Sequence, residues 1–176
     1  MEENIKVLVK EEDIYKRADE MAVQIDKDYA GRTVHMIGVL NGGVFFMCEL
    51  AKRITIPVTF DFLGISSYGN ATESSGSVII KKNLDQNIEG RDVIVVDDIV
   101  DSGRSLALVQ KMLLERHPAS LRMVTLLDKP ERRVVDVDMY MTGFTIPNEF
   151  VVGFGLDYAA KYRNLPYVGV VDESTL

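Results

Sequence analysis

One cysteine and two histidines are the whole supply of thiol and imidazole metal ligands in 176 residues. Cys48 cannot form an internal disulfide, and His35 and His117 have no cysteines beside them, which speaks against a zinc-type cluster; both histidines fall outside every motif of the chain and are read as structural. Long apolar runs are missing too. None approaches the ~18 residues of a membrane span, and the amino-terminal MEENIKVLVK is charged where a secretory signal is apolar. The expectation is therefore a cytoplasmic protein with no membrane partner. Basic residues are scarce, 20 Lys and Arg against 27 Asp and Glu, for a net charge of −7. A protein that grips nucleic acid carries a basic footprint, so DNA and RNA are disfavoured as partners. The pairs Lys81–Lys82 and Arg132–Arg133 are read as solvated turns. An anionic substrate would gain nothing from the overall field and would need a metal ion or aimed backbone amides.

Repeats, low-complexity tracts and linkers are also absent, so residues 1–176 are read as one domain, 47% hydrophobic and large enough to bury a core. Ile14, Ala18, Met21, Ala22 and Ile25 fall at helical spacing and predict a helix over 11–28. VHMIGVL (34–40) predicts a strand, followed by Asn41-Gly42-Gly43 and a helix through Ala51. IPVTFDFL (56–63) is a second strand. GISSYGNATESSGS (64–77) is the most turn-rich segment, and long loops of this kind in compact domains are commonly functional. SVIIKKNL predicts a strand near an edge, and DVIVVDD (92–98) another. A helix is expected over 104–116, then a strand at 121–129 and short strands in VDMYMTGFTIP, EFVVGFGLD and PYVGVVD. Alternating apolar strands and helices imply an α/β fold with a mostly parallel sheet flanked by helices. Ligands of such sheets lie at the carboxyl ends of the strands.

The stretch VIVVDDIVDSGRSL (93–106) runs from a β-branched strand through a Ser-Gly turn into a helix, yet carries Asp97, Asp98 and Asp101. Capping would account for Asp101, Ser102 or Ser105. It leaves the Asp97–Asp98 pair at a strand end unexplained. A division of labour explains all of it. Gly103 permits the tight turn, and the amides of residues 101–105 with the helix dipole hold a phosphate. The carboxylates accept hydrogen bonds from neutral hydroxyls. A sugar phosphate meets both needs.

This stretch closely resembles the phosphoribosyl pyrophosphate (PRPP) motif of type I phosphoribosyltransferases. LNGG (40–43), SSYG (66–69), LLDKPERR (126–133) and IPNEFVVGFGLDYAAKYRNLPYVGVV (146–171) are similar to the hypoxanthine(-guanine) phosphoribosyltransferase family, in order along the chain from about residue 35. The resemblance implies a type I fold with a small hood and a mobile lid loop. It implies purine salvage, with 5-phosphoribosyl moving from PRPP to hypoxanthine or guanine to give IMP or GMP and pyrophosphate, with Mg²⁺. Asp97 and Asp98 would hold the ribose hydroxyls and contribute to the metal site. Asp101, Ser102, Gly103, Arg104 and Ser105 would bind the 5′-phosphate, with Asp101 also the general base at the purine's imidazole nitrogen. Leu40, Asn41 and Gly42 would bind pyrophosphate through backbone amides, in a loop whose peptide before the second residue is often cis in the family. Arg163 would join them on pyrophosphate.

On the purine side, the resemblance assigns Lys129 to the 6-oxo group, Phe150 to stacking, the Val151 backbone to the base edge, and Asp157 to a water-mediated Mg²⁺ contact. Ser67 and Tyr68 would belong to the lid over 64–77. Each has a plainer use: Lys129 as a solvated loop lysine, Phe150 as core, Asp157 as a turn cap, Arg163 in a surface ion pair. Departures from the family are Asn41, where a basic residue is frequent, Asp97 where Glu is frequent, and serines at 102 and 105 for threonines. The family forms dimers and tetramers, so a homodimer or homotetramer is expected. The competing functions are a xanthine- or guanine-preferring relative and, from another class, a PRPP-sensing regulator that binds nucleic acid.

Overall fold

The computed structural model describes residues 5–67 and 78–171. Its centre is a six-stranded sheet made of β2 (Val34–Leu40), β3 (Val58–Ser67), β4 (Val78–Lys82), β5 (Asp92–Val100), β6 (Ser120–Asp128) and β7 (Met139–Thr145), in the spatial order β4-β3-β2-β5-β6-β7. Every pairing is parallel except that of β3 with the edge strand β4. A separate antiparallel sheet joins β1 (Ile5–Val9), β9 (Val168–Val171) and β8 (Val151–Val152) in the order β1-β9-β8.

The parallel strands are apolar on both faces because both are covered. Successive side chains point opposite ways, and β5 divides accordingly. Ile94 and Val96 join the core shared with α1 (Glu11–Asp28) and α2 (Gly43–Ala51), whereas Val93 and Val95 join the one shared with α3 (Arg104–Leu114). The α1 stripe predicted from spacing is the buried one, Ile14, Ala18, Met21, Ala22 and Ile25. Its first turn carries Glu11, Glu12 and Asp13 and its last turn Lys27, charges that complement the helix dipole.

Three elements differ from the sequence expectation. β1 lies in IKVLV, a segment with only Val9 buried and no sustained apolar alternation, so its strand character comes from pairing with β9. Gly64–Ser67, expected to open the lid, continue β3 and pair with β4, from Gly64 opposite Lys82 to Ser67 opposite Val78. Tyr68 and residues 69–77 of the expected lid lie outside the described residues. EFVVGFGLD forms a strand only at Val151–Val152, because Gly153, Phe154 and Gly155 take positive φ values of 94°, 47° and 100° and turn the chain back.

The topology places the functional loops. From β2 the chain moves outward to β3, whereas from β5 it moves the other way to β6, so the order reverses between the adjacent strands β2 and β5. In open α/β sheets the crevice beyond the carboxyl ends at such a reversal is where ligands bind. Those ends are Leu40 and Val100.

Candidate active site

A cleft of about 450 Å³ opens at this reversal, lined by Leu40, Asn41 and Gly42 after β2, by Asp97 through Gly103 and Ser105 at the end of β5, and by Asp157 and Arg163. The cradle after β5 is built by the backbone. Gly103 precedes α3 with φ 82° and ψ −13°, a left-handed conformation that glycine adopts without penalty. A side chain there would also collide with the Val135 carbonyl, its Cβ falling 2.1 Å away. No side chain caps α3. Ser102 Oγ is the nearest equivalent, accepting from the Arg104 amide at 3.4 Å. Capping therefore does not explain the polar residues of this loop, and the α3 amino terminus faces the cleft with its dipole available to an anion. Arg104 itself is the exposed first residue of α3.

Asp97 and Asp98 stand at the floor between the two loops. Asp97 Oδ1 accepts from the Asp98 amide at 2.9 Å. Burial pushes the Asp97 carboxyl well above the usual carboxylate range, and the adjacent Asp98 charge pushes it further. Burial raises Asp98 as well, with the Arg163 guanidinium among the groups that offset it. Such crowding of negative charge suits a site completed by a cation or by hydroxyl donors. The loop after β2 fits closely against it: a Cβ on Gly42 would lie 1.5 Å from Asp98 Oδ2. The Leu40–Asn41 peptide is cis.

Asp157 and Arg163 enter from the turn that follows β8. Arg163 Nη2 lies 2.8 Å from Asp157 Oδ1, and its Nη1 donates to the Gly155 carbonyl at 2.6 Å. Asp157 Oδ2 accepts from the Ala160 amide at 2.8 Å, so the capping use of Asp157 and its place in the cleft coexist. Gly155 in turn packs on the loop after β2, where a Cβ would meet the Gly42 carbonyl at 2.2 Å.

Lys129, Phe150 and Val151 stand beside this cleft rather than in its lining. Lys129 is only 6% exposed, which rules out a solvated loop lysine. Its backbone amide donates to the Val100 carbonyl at 3.0 Å and its Nζ to the Glu149 carbonyl at 2.6 Å. Burial lowers its pKa, with Asp101 opposing. Phe150 is not core: it is 36% exposed, with the Tyr158 ring edge-on at 5.7 Å. Val151 is buried and paired with Val170. Ser67 ends β3.

Residues 5–159 match the model of the phosphoribosyl transferase domain. The chain belongs to that family. It is 52% identical over 174 residues to a hypoxanthine-guanine phosphoribosyltransferase of Streptococcus mutans serotype c, covering 98% of this chain and 97% of the relative. Identity to the Streptococcus thermophilus enzyme of the same name is 51%, covering 96% and 93%. Among solved structures, a hypoxanthine-guanine phosphoribosyltransferase of Bacillus anthracis with a HEPES molecule in its active site superposes with a TM-score of 0.92 at 45% identity, covering 97% of this chain and all of that one. A hypoxanthine phosphoribosyltransferase from Staphylococcus aureus gives 0.93 at 44%, covering 97% and 92%. The fold is thus that of the type I phosphoribosyltransferases, the three-stranded sheet is the expected hood, and the protein is a transferase.

The phosphoribosyltransferase site also uses residues that the sequence reading passed over. Arg132 and Arg133, expected as solvated turns, are bound into it. Arg133 donates through Nε to the Asp101 carbonyl at 3.1 Å and through Nη2 to Asp128 Oδ1. Arg132 Nε lies 2.9 Å from Asp101 Oδ1. The Val134 and Val135 amides both donate to the Ser102 carbonyl at 3.0 Å. The segment that carries Lys129 is therefore clasped to the loop between β5 and α3. Two arginines placed just after a strand-end lysine were the available signal. The other basic pair is also engaged, through Lys82, whose Nζ donates to Asp85 and to the Phe62 and Asn83 carbonyls. His35 is structural as expected, buried with Nδ1 2.8 Å from Thr59 Oγ1.

Proposed function

We propose that the protein is a purine-salvage enzyme that moves 5-phosphoribosyl from PRPP to hypoxanthine, and to guanine, releasing pyrophosphate and forming IMP or GMP. The observation that carries this reading is the single cleft at the strand-order reversal, where an amide-lined helix start and the Asp97–Asp98 pair stand together. The names and high coverage of the relatives support it.

In this reading the loop 101–105 holds the 5′-phosphate, and Asp97 and Asp98 accept hydrogen bonds from the ribose hydroxyls. Leu40, Asn41 and Gly42 present backbone amides to pyrophosphate, with Arg163 as a guanidinium fork. Lys129 donates to the purine's 6-oxo group, giving up its bond to the Glu149 carbonyl or sharing it. Phe150 offers its exposed ring for stacking on the base, with Tyr158 packed perpendicular to it. Asp101 accepts the proton from the base's imidazole ring as the new glycosidic bond forms and the bond from the anomeric carbon to pyrophosphate breaks. Positive charge develops on the sugar in that step, so alignment and electrostatics supply most of the acceleration.

The donor set fits Mg²⁺ bound jointly with substrate. Among the described residues no group of three or more His, Cys, Asp or Glu could hold a metal alone. Mg²⁺ typically takes one or two carboxylates plus substrate phosphates and keeps several waters. Asp97, Asp98 and Asp157 are the carboxylates for that, the last through water. When bound, Mg²⁺ neutralises charge on the departing pyrophosphate. We further propose one catalytic domain over residues 1–176, a cytoplasmic location, and a homodimer or homotetramer with no nucleic-acid partner. No helix of the described residues is long and apolar enough to cross a membrane.

The test is a steady-state assay with PRPP, Mg²⁺ and five bases: hypoxanthine, guanine, xanthine, adenine and uracil. Turnover of hypoxanthine and guanine is expected, and its loss on chelation. Turnover confined to adenine or uracil would overturn the oxopurine reading, and a preference for xanthine would move the protein to a different specificity class.

A further inference from the structure

Asp101 is a half-exposed side chain with two unequal oxygens. Its Oδ1 is buried and receives no hydrogen bond. Arg132 Nε stands 2.9 Å from it in an ion contact without hydrogen-bond angles, and Lys129 is a second cation within reach of the Asp101 charge. The exposure of the side chain, 39%, is therefore carried by its other atoms, and Asp101 lines the cleft. With Oδ1 buried against Arg132, Oδ2 is the oxygen left to face the substrate.

The mount of Arg132 is firm although the side chain is itself 52% exposed. It ends the short 3₁₀ turn Pro130–Arg132, whose amide at Arg132 donates to the Lys129 carbonyl at 3.1 Å. Arg133 fastens the next residue to the Asp101 carbonyl and to Asp128. The backbone beneath both Asp101 and Arg132 is thus fixed on each side of the contact.

We infer that Arg132 is a positioning residue that turns the Asp101 carboxylate so that Oδ2, not Oδ1, takes the proton of the incoming base. The inference rests on Asp101 being the proton acceptor proposed above. Arg132 does not line the cleft and acts through Asp101. A carboxylate released from this contact rotates about its Cβ–Cγ bond, and misplacement of a reacting group by about 1 Å costs up to ~100-fold in rate.

The experiment measures single-turnover nucleotide formation and the Michaelis constants in Arg132→Gln and Arg132→Lys, each also made in an Asp101→Asn background. Arg132→Gln is expected to slow the chemical step ~tenfold, with the PRPP Michaelis constant and the melting temperature little changed. Arg132→Lys should keep more of the rate, added guanidinium at low millimolar concentration should restore part of it in Arg132→Gln, and Arg132→Gln should cost nothing further once Asp101 is Asn. An unchanged rate in Arg132→Gln, or a loss that adds fully to that of Asp101→Asn, overturns the inference. Full turnover in Asp101→Asn alone would instead overturn the assignment of Asp101, a separate result.

Discussion

Replacing Gly42 by alanine isolates the contact between the pyrophosphate-type loop and the aspartate pair. Gly42 has φ −64° and ψ −41°, a conformation open to every residue, so the substitution carries no backbone penalty. What it adds is a methyl group whose carbon would lie 1.5 Å from Asp98 Oδ2 and 2.5 Å from Asp98 Cγ. Real Cβ contacts stay beyond 3.0 Å, so the carboxylate oxygen must retreat by about 1.5 Å. If a 1 Å displacement of a substrate-holding group costs ~100-fold, kcat/KM for nucleotide formation should fall by at least that factor, about 2.7 kcal/mol at 1.36 kcal/mol per tenfold. Thermal melting should move little, because the displaced atoms line an open cleft. The assay is PRPP-dependent IMP formation followed by ultraviolet absorbance, in the wild-type and Asp98→Ala backgrounds. With Asp98 truncated, its nearest remaining atom is Cβ at 3.2 Å, and Gly42→Ala should then cost no more than about twofold. Near-normal activity in Gly42→Ala, or an equal loss in both backgrounds, would refute this steric account.

Lys129→Ala should raise the Michaelis constant for hypoxanthine about tenfold, the cost of a hydrogen bond from a charged donor, and leave that for PRPP unchanged; an unchanged value for hypoxanthine removes the assigned contact. Asp97→Asn should lose activity yet melt higher at neutral pH. Its folded-state pKa is raised, chiefly by burial, so the folded protein binds more protons than the unfolded chain above the unfolded value and stability falls as pH rises through the folded one. The gain should vanish below about pH 4, where the carboxyl is protonated in both states; equal melting temperatures at pH 7 would contradict it. His35 has the opposite sense of shift, lowered chiefly by burial and next by Arg91. Its contribution to stability is complete above the unfolded value of about 6.5 and is lost as pH falls below it, so melting temperature should decline less between pH 7 and 5 in His35→Gln than in the wild type.

What was legible in the sequence was whatever a single segment encodes. The alternation of Val93, Ile94, Val95 and Val96 between two cores follows from strand geometry alone, and the α1 stripe from helical spacing. The left-handed turn at Gly103 was foreseeable for the same reason, since it answers to one residue. Features that depend on a distant partner were not. Ile5–Val9 becomes a strand because Val168–Val171 lies beside it, and Gly64–Ser67 because β4 does. Arg132 and Arg133 looked like solvent-facing charges because Asp101, which both of them engage, follows a different strand, β5. The side of the cleft between β5 and α3 was legible to a larger degree than the three-stranded sheet, since Asp97 through Ser105 are one unbroken stretch of chain from the end of β5 into α3. Its purine side was visible only through resemblance, as Lys129 and Glu149 meet across 20 residues of chain.

The distribution of charge around the cleft explains how an acidic protein can be built to bind a polyanion. Asp101, Asp128 and Asp157 are each matched by a nearby guanidinium, from Arg132, Arg133 and Arg163. Their fields are offset locally, so they do not oppose a phosphate arriving at the start of α3. Among the described residues no basic group forms an ion pair with Asp97 or Asp98. Burial raises both carboxyl pKa values there, and the Asp98 charge adds to the rise at Asp97. Burial makes two adjacent carboxylates costly to keep ionised in the folded protein, with the Arg163 guanidinium offsetting part of that cost at Asp98. In the proposed assignment the two needs are met apart: the phosphate sits at the start of α3, away from the acids, and Asp97 and Asp98 take hydroxyl donors.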